Sequence, residues 1–223
     1  MALSTYTELK SAIANWLNRS DLTSEISDDF IILTEADLNA KLRIRQMHDQ
    51  ATITIDSETE SVPTGFLQVR DFYILSNGQK FPMTFISPAQ MDSVKASSTT
   101  GVPTSYTILG STFRFAPRPD STYTGILNFY KKFTALSSQN TSNYILTDHP
   151  AVYLYGSLFH AANFLGGFDP NQVQQWSAMY QTALERIELN DREDSYSGSP
   201  LQIRSDVTVA SPFTRRYVTT ITE

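Results

Sequence analysis

The sequence predicts an α+β fold: a helical body built from N-terminal helices and a C-terminal antiparallel helix pair, an inserted antiparallel β region, and an extended C-terminal arm. Three observations predict it. Apolar residues recur at helical spacing up to about residue 50. The period then falls to two, punctuated by glycine and proline, as far as about residue 135. A charge-free apolar helix and a second, amphipathic one follow, after which no period is visible. The expected units are therefore 1–50 and 136–196 for the two parts of the body, 51–135 for the β region and 197–223 for the arm.

Thr5 and Glu8 have the spacing of a capping box, and Tyr6, Leu9, Ile13, Trp16 and Leu17 form an apolar stripe, so the first helix is expected from there to Asn18 or Arg19. A second helix is read from Ile26, Phe30, Leu33, Ala40 and Ile44. Its acidic residues, Asp28, Asp29, Glu35 and Asp37, come early, and Lys41, Arg43 and Arg45 come late, an order that complements the helix dipole and keeps one face solvated.

Thr52-Ile53-Thr54-Ile55 alternates, and further strands are expected at Leu67–Leu75, Lys80–Phe85, Ser105–Leu109, Thr112–Phe115 and Tyr123–Phe133. Asn77-Gly78 and Gly110-Ser111 are turn signals, Pro88–Ala96 suits a short helix, and Pro117 and Pro119 take Ala116–Asp120 out of the sheet. Asp148 is the expected N-cap of a helix with Pro150 in its first turn, apolar on nearly every face to Leu165 and stopped by Gly166-Gly167. Asp169-Pro170-Asn171-Gln172 restarts a helix whose stripe is Val173, Trp176, Tyr180, Ala183 and Ile187.

Composition excludes several classes of function. The 223 residues carry 17 basic against 23 acidic side chains, a formal charge of -6, with no concentrated basic stripe for phosphate binding. There is no cysteine, which removes disulfides, thiolate zinc sites and cysteine nucleophiles and suits a reducing cytoplasm. Met1–Tyr6 has no basic stretch leading into an apolar one, so no secretory signal is expected, and Ser157, His160, Asn163 and the glycines argue against a membrane span over Pro150–Phe168. His48, His149 and His160 lie far apart without metal-ligand spacing, and no phosphate loop, dinucleotide fingerprint or nucleophile elbow occurs. No catalytic, metal or cofactor-binding residue is assigned, and no cofactor is expected.

One set of short words is informative through its order. Tyr6-Thr7-Glu8-Leu9 and Trp16-Leu17-Asn18-Arg19-Ser20-Asp21-Leu22 are followed by Glu35, Leu38, Asn39 and Leu42-Arg43, then by Gly101-Val102-Pro103-Thr104-Ser105-Tyr106 and Phe115-Ala116-Pro117-Arg118-Pro119. Tyr130, Leu136-Ser137, Tyr144-Ile145-Leu146, Pro150 and Tyr153-Leu154-Tyr155 complete the series. In this order they resemble the head-to-tail adaptor (connector) family of short-tailed bacteriophages.

The resemblance implies a structural virion protein at the head-tail junction, assembled in the host cytoplasm. It implies a ring of about twelve copies beneath the portal protein, the number resting on analogy with portal symmetry. The ring would give the tail nozzle or tail tube protein its attachment surface, and genomic DNA would pass through without sequence-specific binding and without a membrane. A segment lacking its own core orders by lying on a partner, so Leu201, Ile203, Arg204, Val207 and Phe213 in the arm are the portal-interface candidates. Arg43, Arg45 and Glu35 are the inter-subunit candidates, with Arg118 and Arg204 as further cations that could meet acidic groups of a neighbour. Two alternatives stand beside this reading: a tail-associated peptidoglycan hydrolase using the acidic helix, and a glycan-binding tail protein using the aromatic β region.

Overall fold

The computed structural model describes residues 3–196 apart from 77, 98 and 99. The expected arm, 197–223, with Leu201, Ile203, Arg204, Val207 and Phe213, lies outside the described residues.

Helix α1 (Tyr6–Leu17) starts on the expected capping box, in which the Thr5 hydroxyl accepts from the Glu8 amide and the Glu8 carboxylate accepts from the Thr5 amide. Asn18 closes it in the left-handed conformation, with φ 51°. Tyr6, Leu9, Ile13 and Leu17 are buried as the stripe requires, but Trp16 is 49% exposed and meets Tyr155 edge-on.

The next rod is continuous: α2 (Thr23–Glu25), a π-turn (Ile26–Phe30) and α3 (Ile31–Lys41) join through right-handed helical residues at Ile26, Phe30 and Ile31. The π-turn explains a difference from the sequence reading. A straight helix through Ile26 and Phe30 would turn Leu33 inwards; the wide turn adds one residue, so Thr34 and Leu38 face inwards and Leu33 faces solvent. A second difference lies at the end of the rod. The helix stops at Lys41, Leu42 is extended, and Ile44 is buried beyond the helix instead of on it. Arg43 still answers the helix end, because its Nη1 donates to the carbonyls of Asn39 and Leu42. A 3₁₀ turn, Arg45–Met47, leads into the strands.

Among the described residues eight strands form two four-stranded sheets. The first has the order β1 (His48–Ile55), β8 (Tyr123–Lys131), β3 (Phe66–Ser76), β4 (Gln79–Pro82); the second has β2 (Thr59–Ser61), β7 (Thr112–Ala116), β6 (Ser105–Leu109), β5 (Thr84–Phe85). All neighbours are antiparallel except β5 and β6, a two-residue parallel pair. Strand β2 has no counterpart in the sequence reading, because Thr59-Glu60-Ser61 is short and offers no apolar alternation. Helix α4 (Pro88–Ser97) falls where expected, between β5 and β6.

The sheets share an aromatic core. Phe72 of β3 touches the rings of Tyr106, Phe113 and Phe115 in the second sheet, with centroids 5.2–5.9 Å apart. Ile53, Ile55, Ile74, Leu127 and Phe129 complete this cluster. Gly125 lets β8 run beneath it, since a Cβ there would lie 2.7 Å from Ile55 and 2.9 Å from Phe72.

After β8 the chain returns to helices: α5 (Tyr144–Asp148), α6 (Pro150–Leu165) and α7 (Pro170–Tyr196). Asp148 is not a cap. It is the last residue of α5, a helix capped by Asn143 through the Leu146 amide, and α6 begins at the next turn behind His149. Gly166, with φ 64°, ends α6. Trp176, Tyr180, Leu184 and Ile187 line the buried side of α7, and Val173 and Ala183 flank it. These helices and α1 to α3 share a second core that includes Leu9, Ile13, Phe30, Leu38, Tyr153 and Leu158. At its centre Gly156 brings α6 against α3 and α7: a Cβ there would lie 2.6 Å from Thr34 Cγ2 and 3.0 Å from Tyr180 Cε2.

Candidate assembly interface

Three features stand out once the two cores are filled. The first is interior. Glu35, expected on a solvated acidic face, is 6% exposed. Its Oε1 accepts from the Leu136 amide at 2.7 Å and from the Tyr153 hydroxyl at 3.0 Å. Asn143 extends this network, donating to the Tyr153 oxygen at 2.7 Å and to the Thr134 carbonyl at 3.0 Å while capping α5. Burial raises the Glu35 carboxyl above the usual range despite these donors, and burial followed by the nearby Glu35 pushes the Tyr153 phenol far up. The network fixes the returning segment after β8 onto α3 and α6.

Asp37, two residues on and so on another side of the helix, accepts from Lys41 and Tyr180. Asp28 and Asp29 are exposed. The acidic group of the sequence reading is thus divided among three different environments.

The second feature is a cleft of about 340 Å³ lined by Arg43, Arg45, His48, Arg70, Tyr130, Asp191 and Ser195. It gathers residues from the end of α3, from β1, β3 and β8, and from the last turns of α7. Arg45 is held by α7: its amide donates to Asp191 at 2.8 Å and its guanidinium pairs with Asp194 at 3.1 Å. Arg43 also reaches Gln68 at 3.3 Å.

Arg70 arrives by an irregularity. Strand β3 slips against β8 between Val69 and Asp71, so Arg70 is the extra residue of a bulge and escapes the alternation that points Phe72 into the core. Its Nη1 lies 3.0 Å from His48 Nδ1. A guanidinium only donates, so Nδ1 accepts and the proton of neutral His48 sits on Nε2. That Nε2 is buried without an acceptor among the described residues. Burial, then the Arg70 charge, holds the His48 pKa below its ordinary value, and the Tyr130 ring meets the imidazole edge-on at 4.6 Å.

The third feature is apolar exposure. Trp16, Ile32, Leu33 and Phe164 on the helices and Phe81 and Phe85 on the strands are each about half exposed or more. Such side chains are available to subunit or partner contacts.

Of the inter-subunit candidates, Arg43 and Arg45 come together in the cleft, whereas Glu35 works within its own chain. His48, Arg70 and Tyr130, which the sequence reading did not connect, complete the cleft. The only sequence signal for Arg70 is a charged residue at a position where β3 should alternate inwards. Among the described residues no three His, Asp or Glu side chains are placed to hold a metal ion, and no helix is long and apolar enough to cross a membrane.

A two-sheet, two-core α+β chain with an open charged cleft and exposed aromatics has the make-up of an assembly subunit. The sequence matches the model of the SU10 adaptor protein family over residues 4–204, and the chain belongs to that family of phage head-to-tail adaptors. It is a structural component of a phage virion. Comparison with curated proteins finds no match.

Proposed function

We propose that this protein is the adaptor beneath the portal of its phage, present in about twelve copies by analogy with portal symmetry, which joins the DNA-filled head to the tail and forms part of the ejection conduit. The observation that carries the reading is the family match across residues 4–204. The acidic balance supports a conduit wall, since a cation-rich wall would retain DNA by its phosphates. Its role is structural and not catalytic, and assembly takes place in the host cytoplasm.

In this reading residues 1–50 and 136–196 form the ring body, 51–135 faces a neighbouring tail protein, and 197–223 is the arm that engages the portal through Leu201, Ile203, Arg204, Val207 and Phe213. Arg43 and Arg45 act between subunits, and Glu35 contributes by fixing the segment around Leu136. The test is the mass of the full-length protein with and without its portal. A closed ring on the portal is expected, with loss of portal binding when residues 200–223 are deleted. Monomer in both conditions rejects the reading, and full binding by the truncated chain rejects the role of the arm.

A further inference from the structure

We infer that the Arg43–Arg70 cleft receives the acidic turn Asp28-Asp29 of the next copy, so that successive subunits join head to tail through opposite ends of one helical rod. This deepens the ring reading above and rests on it. The rod runs without a break from Thr23 to Lys41, and Asp28 and Lys41 are about 20 Å apart along it at about 1.5 Å per residue. Asp28 and Asp29 sit near the start of the rod, exposed, with no ion pair among the described residues. One turn on, Ile32 and Leu33 are 53% and 49% exposed, which gives this end an apolar centre with an acidic edge.

At the other end Arg43 and Arg70 have no carboxylate partner among the described residues, and both line the cleft. Charge is therefore complementary between two different surfaces of the same molecule. Such a contact is heterologous, and it makes a ring when the rotation from copy to copy closes.

A protein carboxylate suits this cleft better than nucleic acid does. Asp191 is in its lining and Asp194 is paired with Arg45 beside it; a polyanion running through the cleft would meet both, whereas a short turn with two carboxylates offers one to each of the Arg43 and Arg70 guanidiniums.

The absence of cysteine makes the test clean. Ile32→Cys and Ser195→Cys are introduced together into the full chain, which is incubated with its portal and treated with a short bismaleimide. Ile32 stands midway along the rod and Ser195 on α7 beside the cleft; a link within one chain gives only monomer, so a head-to-tail ring gives a ladder of covalent multimers from the double variant and none from either single variant. Charge reversal adds a second readout: Arg43→Glu/Arg70→Glu and Asp28→Lys/Asp29→Lys each lose the ring, and mixing the two restores it with alternating copies.

A wild-type ring with no ladder from the double variant overturns the inference and leaves the ring reading standing. Dimers from a single-cysteine variant also overturn it, by indicating a two-fold contact. So does a short DNA duplex that binds the wild type and is lost with Arg43→Glu/Arg70→Glu while the ring persists. Absence of any wild-type ring on the portal rejects both readings together.

Discussion

Glu35 and Tyr153 face each other inside the helical core, the Tyr153 hydroxyl donating to Glu35 Oε1 at 3.0 Å while the Leu136 amide occupies the same oxygen. Removing the carboxylate leaves two buried donors without an acceptor. Glu35→Ala is expected to lower stability by about 2–4 kcal/mol, and Glu35→Gln, which keeps Oε1, by about 1 kcal/mol. Urea denaturation of the two variants and of Tyr153→Phe, with the double mutant closing the cycle, measures the coupling.

Gly156 leaves no room for a side chain between α6 and its neighbours α3 and α7. Gly156→Ala places a methyl 2.6 Å from Thr34 Cγ2, and the core must give way. A loss of about 1–3 kcal/mol is expected from overpacking. Adding Thr34→Ser removes the clashing methyl and should recover part of that loss in the same denaturation experiment; no recovery would place the strain at Tyr180 instead.

Acid sensitivity should begin with the imidazoles. Burial holds His48, His149 and His160 all below the ordinary 6.5. Between the folded and unfolded values the unfolded chain binds more protons, so stability rises with pH in that window: the contribution is complete above about 6.5 and is lost as pH falls below it. The raised carboxyl of Glu35 acts in the opposite sense, its folded form taking up a proton before the unfolded form does, which flattens the decline at lower pH. Thermal midpoints between pH 7.5 and pH 5 check this order, and a midpoint rising on acidification from neutrality would contradict it.

His48 reports on the cleft directly. Arg70→Ala removes both a neighbouring charge and the donor to Nδ1, so the imidazole pKa should move upwards towards its ordinary value. Titration by NMR reads the change, and an unmoved or lowered value would separate Arg70 from His48.

The helices were legible where a single local pattern sufficed. Thr5 with Glu8, Asp169 with Pro170, and Gly166 all mark their termini as read, because a cap depends on a few residues of the same segment. Leu33 was misplaced because a π-turn is invisible to a period of 3.6, and Trp16 because a stripe says which residues share a side, not how far the covering helix extends. Asp148 looked like a cap only while α5 went unrecognised, and at five residues that helix is too short for its apolar period to declare itself.

The cleft was half legible. Arg43 and Arg45 drew attention as cations near a helix end, but Arg70 joins them through a bulge, and His48 and Tyr130 through strand pairing between residues 82 positions apart in sequence. Glu35 was read as solvated because neighbouring charges in sequence suggest a common face, whereas its burial depends on donors from Leu136 and Tyr153, which only the folded chain supplies.

The order in which the cores are completed follows from where their residues lie. Every member of the aromatic core falls between Ala51 and Phe129, so it is fully synthesised while α1 to α3 still lack α6 and α7. At about 5–20 residues per second, the roughly one hundred residues separating α3 from α6 leave Leu9, Phe30 and Leu38 without their partners for on the order of 5–20 s. During translation α1 to α3 and α6 to α7 depend on each other across this delay, and pulse proteolysis of ribosome-bound chains should find α1 to α3 cut until α6 has emerged.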